Sequence, residues 1–357
     1  MSEEFEQQLQ ALRRKFDSTR DDAAFEDASS ELSDLSAKVS SLPSDIEEIR
    51  SRGYAFRSYL ENKAEVLNNN WGDIRSRAQR MIDDERDRLT SELRQIEARI
   101  DRAESGDSGG SAAMKMKFGG GGGSSTNIED LEGEVDELEN QVSSAARRIG
   151  DVYETMAKDI NSTLSQIKEI NWFMDEKDEA SFEFLAGESL FLLAKAEWVV
   201  TGKGRKDPDG ILYLTDQRLI FEQKEKTGKT LGMFGGKMEQ EVEWEIPLHQ
   251  IEGVEAENKG MFGGKDMLNF TLGSGAPHPK ITVEVKGGVD CKFWAKQVQR
   301  MMTGGTDDER AIEPDPELIE TLRNAPTECH VCGATLRQIM AGEMQIECEY
   351  CGAVIRL

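Results

Sequence analysis

Four cysteines near the end of the chain carry the clearest chemistry. Cys329, Cys332, Cys348 and Cys351 form C-x2-C-x15-C-x2-C, and a glycine follows each pair, Gly333 and Gly352. Four thiolates on two short turns suit a tetrahedral Zn2+ and leave no position open for a reacting water. The spacing therefore predicts one structural ion. Iron would accept the same four ligands. A segment of about 30 residues buries too little to fold on its core alone, so metal is expected to hold it together. His330, inside the first pair, reads as exposed. Cys291 stands apart in an amphipathic stretch and reads as a small buried hydrophobe.

No second reactive set emerges. The three histidines, His249, His278 and His330, have no nucleophile or carboxylate pattern beside them. No G-x-x-x-x-G-K-[ST] loop occurs, and the five glycines at 119–123 precede a helix but follow no strand. An enzyme is not expected. A different pattern stands out instead: GMFGGK is written at Gly232–Lys237 and again at Gly260–Lys265. If strands alternate up and down, Met233, Phe234, Met261 and Phe262 share one rim with Lys203, Arg205, Lys206, Lys237 and Lys265. Apolar tips beside cations suit docking on a partner or on an anionic membrane surface.

Three kinds of segment must position these residues. In the first half, apolar residues recur at spacings of three and four. One series is Leu9, Leu12, Phe16, Leu32, Leu35, Val39 and Leu42, after which Pro43 is expected to end a helix, with Ser44–Asp45 capping the next. A second runs from Leu60 to Ile100. The third is Ile128, Leu131, Val135, Leu138, Val142, Ala145, Ile149, Val152, Met156 and Ile160, a heptad seam. Continued to Met174, that helix would be roughly 70 Å long, and its stripe needs another helix, from this chain or from a second copy. Between the second and third rods, Met114–Phe118 (MKMKF) lies in a glycine- and serine-rich stretch that reads as a linker.

From Glu183 the period falls to two. Seven strand-like stretches follow: Leu190–Val200, Ile211–Thr215, Arg218–Gln223, Gln240–Ile246, Gln250–Glu257, Met267–Leu272 and Lys280–Val285. An amphipathic helix closes the series, with Asp290 at its N-cap and Phe293, Trp294, Val298 and Met301 on one face. Gly210, Leu212, Thr215, Arg218, Leu219 and Phe221 fit G-x-L-x-x-T-x-x-R-L-x-F, and Ile246, Pro247, Leu248 and Ile251 fit I-P-L-x-x-I. On these residues, 181–303 resembles the GRAM and bacterial PH-like family. That resemblance implies a seven-stranded barrel with a C-terminal helix and a binding role toward lipid headgroups or protein segments. No lipid-binding residue carries over by motif. The four-cysteine segment resembles a zinc ribbon, with strands expected at Thr335–Ile339 and Met344–Ile346.

The fold class expected is multidomain α and β: a long helical coiled coil, a PH-like seven-stranded barrel with a C-terminal helix, and a small four-cysteine zinc ribbon. The segments are 1–103, long helices; 104–127, linker; 128–178, coiled-coil helix; 181–303, PH-like barrel; 304–326, an acidic linker with a helix at Pro316–Asn324; and 327–357, zinc ribbon. The chain of 357 residues has a formal net charge of -25. Residues 1–180 hold 24 Lys and Arg against 40 Asp and Glu, residues 181–303 hold 16 against 18, and the remainder 4 against 11. So acidic a surface argues against nucleic acid as a partner. The acidic, polar start reads as no signal peptide, and no apolar run approaches a membrane span. The expected protein is a cytoplasmic, non-enzymatic scaffold with protein partners, self-associating or folding back through its coiled coil. The alternatives are a peripheral membrane adaptor and a nucleic-acid-associated zinc-ribbon factor.

Overall fold

The computed structural model describes residues 3–105, 128–202, 207–227, 237–259 and 264–357. The heptad pattern forms four helices: α1 (Glu3–Asp22), α2 (Glu26–Ser51), α3 (Tyr59–Glu104) and α4 (Ile128–Asp178). The alternating pattern forms β1 (Leu190–Trp198), β2 (Asp209–Thr215), β3 (Arg218–Thr227), β4 (Lys237–Pro247), β5 (Ile251–Lys259), β6 (Lys265–Leu272) and β7 (Lys280–Val285). Helix α5 (Cys291–Met302), helix α6 (Pro316–Asn324) and a hairpin of β8 (Gln345–Glu347) and β9 (Val354–Arg356) complete the chain. No described helix is long and apolar enough to cross a membrane.

The chain forms two compact units, 1–43 with 63–165, and 44–62 with 166–357. The first is a helical bundle that closes within one chain. Leu9, Leu12, Phe16, Leu32, Leu35, Val39, Leu67, Leu89 and Ile96 are buried together with the α4 stripe from Ile128 to Ile149. Polar contacts join the same helices: Tyr153 donates to Glu31 at 2.8 Å, Trp71 to Ser36 at 2.9 Å, and Arg148 pairs with Glu85. Beyond Ile149 the buried positions become Tyr153 and Ala157, while Val152 and Met156 are half-buried. Two successive steps of four let the helix return to its natural 3.6 period, so the strict heptad ends there.

Pro43 does not end a helix. It lies exposed inside α2, between buried Leu42 and Ile46. A proline on the wet face loses one backbone hydrogen bond, and the apolar stripe on the other face outweighs that loss. The break between α1 and α2 comes earlier, where Phe25 takes a φ of 49° with its ring buried.

In the second unit the strands form one antiparallel sheet in the order β4-β3-β2-β1-β7-β6-β5. Strand β1 pairs with β2 along Leu190–Glu197 but with β7 only over Ala196–Trp198, so it carries the turn of the sheet. No ladder among the described residues joins β4 to β5; this is a bent sheet, and the barrel expected from the sequence is not sealed by hydrogen bonds. Helix α5 packs on β5 and β6 through Cys291, Trp294, Ala295, Val298 and Met301, and Phe293 is exposed, contrary to the sequence reading. Asp290 caps the helix as expected, accepting from the Lys292 amide at 2.9 Å.

The motif residues hold this fold in place. A Cβ on Gly210 would lie 1.9 Å from the Glu222 carbonyl oxygen, opposite the bulge at Phe221/Glu222, so only glycine fits. Leu212, Leu214, Leu219 and Phe221 are buried. Thr215 Oγ1 accepts from the amides of Gln217 and Arg218 at 3.1 and 2.9 Å, closing the β2–β3 turn. Arg218 is a buried fork: it donates to both oxygens of Glu188 at 2.9 Å and to the Glu183 carbonyl at 2.8 Å, and pairs with Glu245.

The sequence reading missed one structural cluster, the turn Tyr54–Arg57 between α2 and α3. Tyr54 and Phe56 are fully buried. The Tyr54 hydroxyl donates to the Phe191 carbonyl at 3.1 Å, and the Phe56 ring meets the Phe191 ring edge-on at 4.9 Å. Arg310 lies over Phe56 at 4.5 Å and pairs with Asp216, so the segment after α5 is pinned to the turn; the Ala311 amide adds a bond to the Ala55 carbonyl at 2.7 Å. The signal to be had was the stretch YAF itself, three apolar residues where the heptad reading left none.

Burial pushes the Tyr54 phenol up to about 12, against about 10 in an unfolded chain. The folded state holds this proton more tightly, so its support is complete below about pH 10 and is lost as pH rises through about 12. Urea midpoints are expected to fall across that window, and more steeply in the wild type than in Tyr54→Phe. Tyr213, also raised by burial and by the charge and hydrogen bond of Glu222, supplies part of the remaining slope.

Candidate metal centre

The two cysteine pairs face each other as matched turns. Cys329 Sγ lies 3.6 Å from Cys351 Sγ, and Cys332 Sγ lies 3.6 Å from Cys348 Sγ. All four sulfurs fall within 4.8 Å of one another. A tetrahedron with Zn–S bonds of ~2.3 Å has sulfurs ~3.8 Å apart, whereas a disulfide needs ~2.05 Å. The residues therefore fit a tetrahedral four-thiolate ion.

Local geometry explains the glycines. Gly333 and Gly352 have φ of 73° and 72°, the left-handed region. Each donates its amide to the carbonyl of the first cysteine of its pair, Cys329 and Cys348, at 2.8 Å. Cys329 and Cys348 donate in turn to the carbonyls of Ala334 and Ala353 at 2.8 and 2.9 Å, so the turns are near copies of one another. The Val331 amide points at Cys329 Sγ at 3.4 Å. Amides of Cys332 and Val331 pull the Cys329 thiol down to about 6. The Ala353 amide favours the Cys351 thiolate, yet burial and the neighbouring sulfurs push that thiol up to about 12. Four sulfurs this close cannot all ionise without a cation; a bound divalent ion removes that conflict.

The β-structure here differs from expectation. Thr335–Ile339 forms no strand; Thr335 makes a single bridge to Glu328. The hairpin is β8 with β9, and Val354–Arg356 was missed because three residues are too few to show a period. Segment 339–341 instead pairs with the approach to β1: the Ala186 amide donates to the Ile339 carbonyl at 2.9 Å, and the Ala341 amide to the Phe184 carbonyl at 2.8 Å. Leu318 and Leu322 of α6 lie against Gly187. His330 is exposed and Cys291 is buried.

The expected docking rim falls mostly outside the described residues: Lys203, Arg205, Lys206, Met233, Phe234, Met261 and Phe262 all lie there, as does Met114–Phe118. Lys237 opens β4, paired with Thr227. Lys265 is described, and it is not a spare cation: it pairs with the buried carboxylate of Glu284, while Lys286 holds Glu197 at 2.7 Å. Glu197 and Glu284 stand directly opposite on β1 and β7, so these lysines neutralise a carboxylate pair that would otherwise repel.

No family model matches the chain, and no curated protein matches it. Among solved structures, it is similar to the Vps36 N-terminal PH domain, with 10% identity over 34% of this chain and 92% of that one and a TM-score of 0.23. It is similar to a pleckstrin homology domain from Shewanella amazonensis SB2B, with 25% identity over 33% and 86% and a TM-score of 0.22. A third is the complex of PDZ-RhoGEF DH/PH domains with RhoA, with 11% identity over 86% and 96% and a TM-score of 0.27. All three are PH-domain proteins. The seven antiparallel strands followed by one closing helix agree with the layout that the sequence resemblance implies.

Proposed function

We propose that the chain is a non-enzymatic adaptor, working in the cytoplasm, that presents a PH-like sheet domain and a zinc ribbon to protein partners. One observation carries this reading: backbone pairing of 184–186 with 339–341 fixes the four-cysteine centre to the seven-stranded sheet within one compact unit. Two contact modules so joined can engage a partner together, and the closed four-thiolate set has no site for substrate chemistry. The helical bundle buries its own seam, which supports a role as an arm over one as an assembly motif. A membrane adaptor is weakened by the engagement of Lys265 with Glu284, and a nucleic-acid role by the acidic tail.

Light scattering of the full chain tests the bundle assignment. A mass of 39.9 kDa independent of concentration is expected; a dimer that dissociates on replacing Leu138 by lysine would show that the seam is shared between copies. Turnover of a substrate by the purified chain would overturn the adaptor reading as a whole.

A further inference from the structure

The metal end of the ribbon is apolar at its tips and acidic around them. Val331 and Tyr350 occupy the same place in the two cysteine turns and are 63% and 79% exposed. The sulfurs that flank them meet at 3.6 Å, so both side chains crown the same centre. Val354, also exposed, lies across the hairpin from Glu347. Glu347 reaches back toward Gly352, and Glu328 and Glu349 flank the cysteines; all three glutamates are exposed. The two basic residues of the ribbon are elsewhere: Arg337 is held by Glu343, and Arg356 lies opposite Gln345 at the far end of the hairpin. A divalent ion on four thiolates leaves two further negative charges beneath the tips.

Val331 and Tyr350 stand exposed at matching places in the two cysteine turns, and Val354 stands exposed across the hairpin from Glu347, so this end of the segment leaves apolar groups open to water. The charge around them selects the partner's sign. We infer that this face docks a short protein segment in which apolar side chains alternate with lysine or arginine: the apolar groups cover Val331, Tyr350 and Val354, and the cations meet Glu328, Glu347 and Glu349. Anionic membranes and nucleic acid are repelled by the same face. The inference rests on the ribbon being a contact module, as proposed above.

The probe is a fluorescein-labelled Met-Lys-Met-Lys-Phe peptide, the sequence this chain carries at Met114–Phe118, titrated with the full-length, zinc-loaded protein. Saturable anisotropy is expected, weakened about tenfold by joint Val331→Ser and Tyr350→Ser replacement and by raised salt. A Met-Glu-Met-Glu-Phe peptide is expected to bind about tenfold more weakly. Zinc content, read by dye after thiol modification, must match the wild type. Should the double variant lose zinc, joint Glu347→Gln and Glu349→Gln replacement tests the charge half alone. Equal binding by wild type and zinc-retaining variants, or equal binding of the glutamate peptide, overturns the inference. The turnover assay that tests the adaptor reading is untouched by either outcome, so failure here stays separate from failure of that reading.

Discussion

Replacing Cys348 by serine is expected to release the metal and unfold residues 327–357, while the seven-stranded sheet stays folded. The buried apolar core of this segment is Ile346 and Ile355 beside Cys329 and Cys348, with Ala334, Leu336 and Ala353 half-buried. Fully burying an aliphatic side chain is worth about 1.5–3 kcal/mol, so these few side chains cannot offset the ordering of some 30 residues at about 1–2 kcal/mol each. Zinc bound to four thiolates contributes about 10–16 kcal/mol in small zinc domains, more than the apolar core can supply. A strong chelator should act as the serine does. Hydrogen exchange checks the result: amides of Ile346 and Ile355 should lose protection, and those of Leu212 and Phe221 should keep it. A four-cysteine segment that remains protected without metal would show that pairing with 184–186 suffices to hold it.

Phe56→Ala is expected to destabilise the sheet unit by about 3–5 kcal/mol, the usual cost of deleting a fully buried aromatic ring. The residue lies between two helices, far in sequence from any strand, and by sequence alone a loop substitution there would be mild. The contacts decide otherwise: its ring packs edge-on against Phe191 of β1 at 4.9 Å and carries the Arg310 guanidinium at 4.5 Å. The loss should appear as a shifted urea midpoint for tryptophan emission in a Trp71→Phe background, where the remaining Trp172, Trp198, Trp244 and Trp294 all belong to this unit. A change within about 0.5 kcal/mol, the range of ordinary surface substitutions, would mean the turn is peripheral to the sheet. For the same reason a fragment starting at residue 181 is expected to fold poorly, since it lacks Tyr54, Phe56 and Phe173, all fully buried in the second unit.

Much of this architecture was readable from residue order because its signals are local. Heptads, alternation, a Cys-x-x-Cys-Gly turn and an Asp N-cap each involve neighbours within a few positions. The seven strands therefore sit close to their expected places, and the four cysteines converge as their spacing implied. Gly210 and Arg218 were recognisable as a pattern, but their reasons, a bulge that leaves no room for a Cβ and a buried fork on Glu188, needed the paired strands.

Sequence by itself determined the kinds of element, the four cysteines that cluster and the acidic composition. Only the tertiary structure decided whether the helical seam closes on its own chain, since a stripe of Leu and Val is equally satisfied by either partner. It also decided that residues 44–62 join the sheet unit and that Lys265 is spent on Glu284. Both depend on contacts between residues far apart in the chain, and no local spacing encodes which buried carboxylate a lysine will meet or which turn will roof a distant strand.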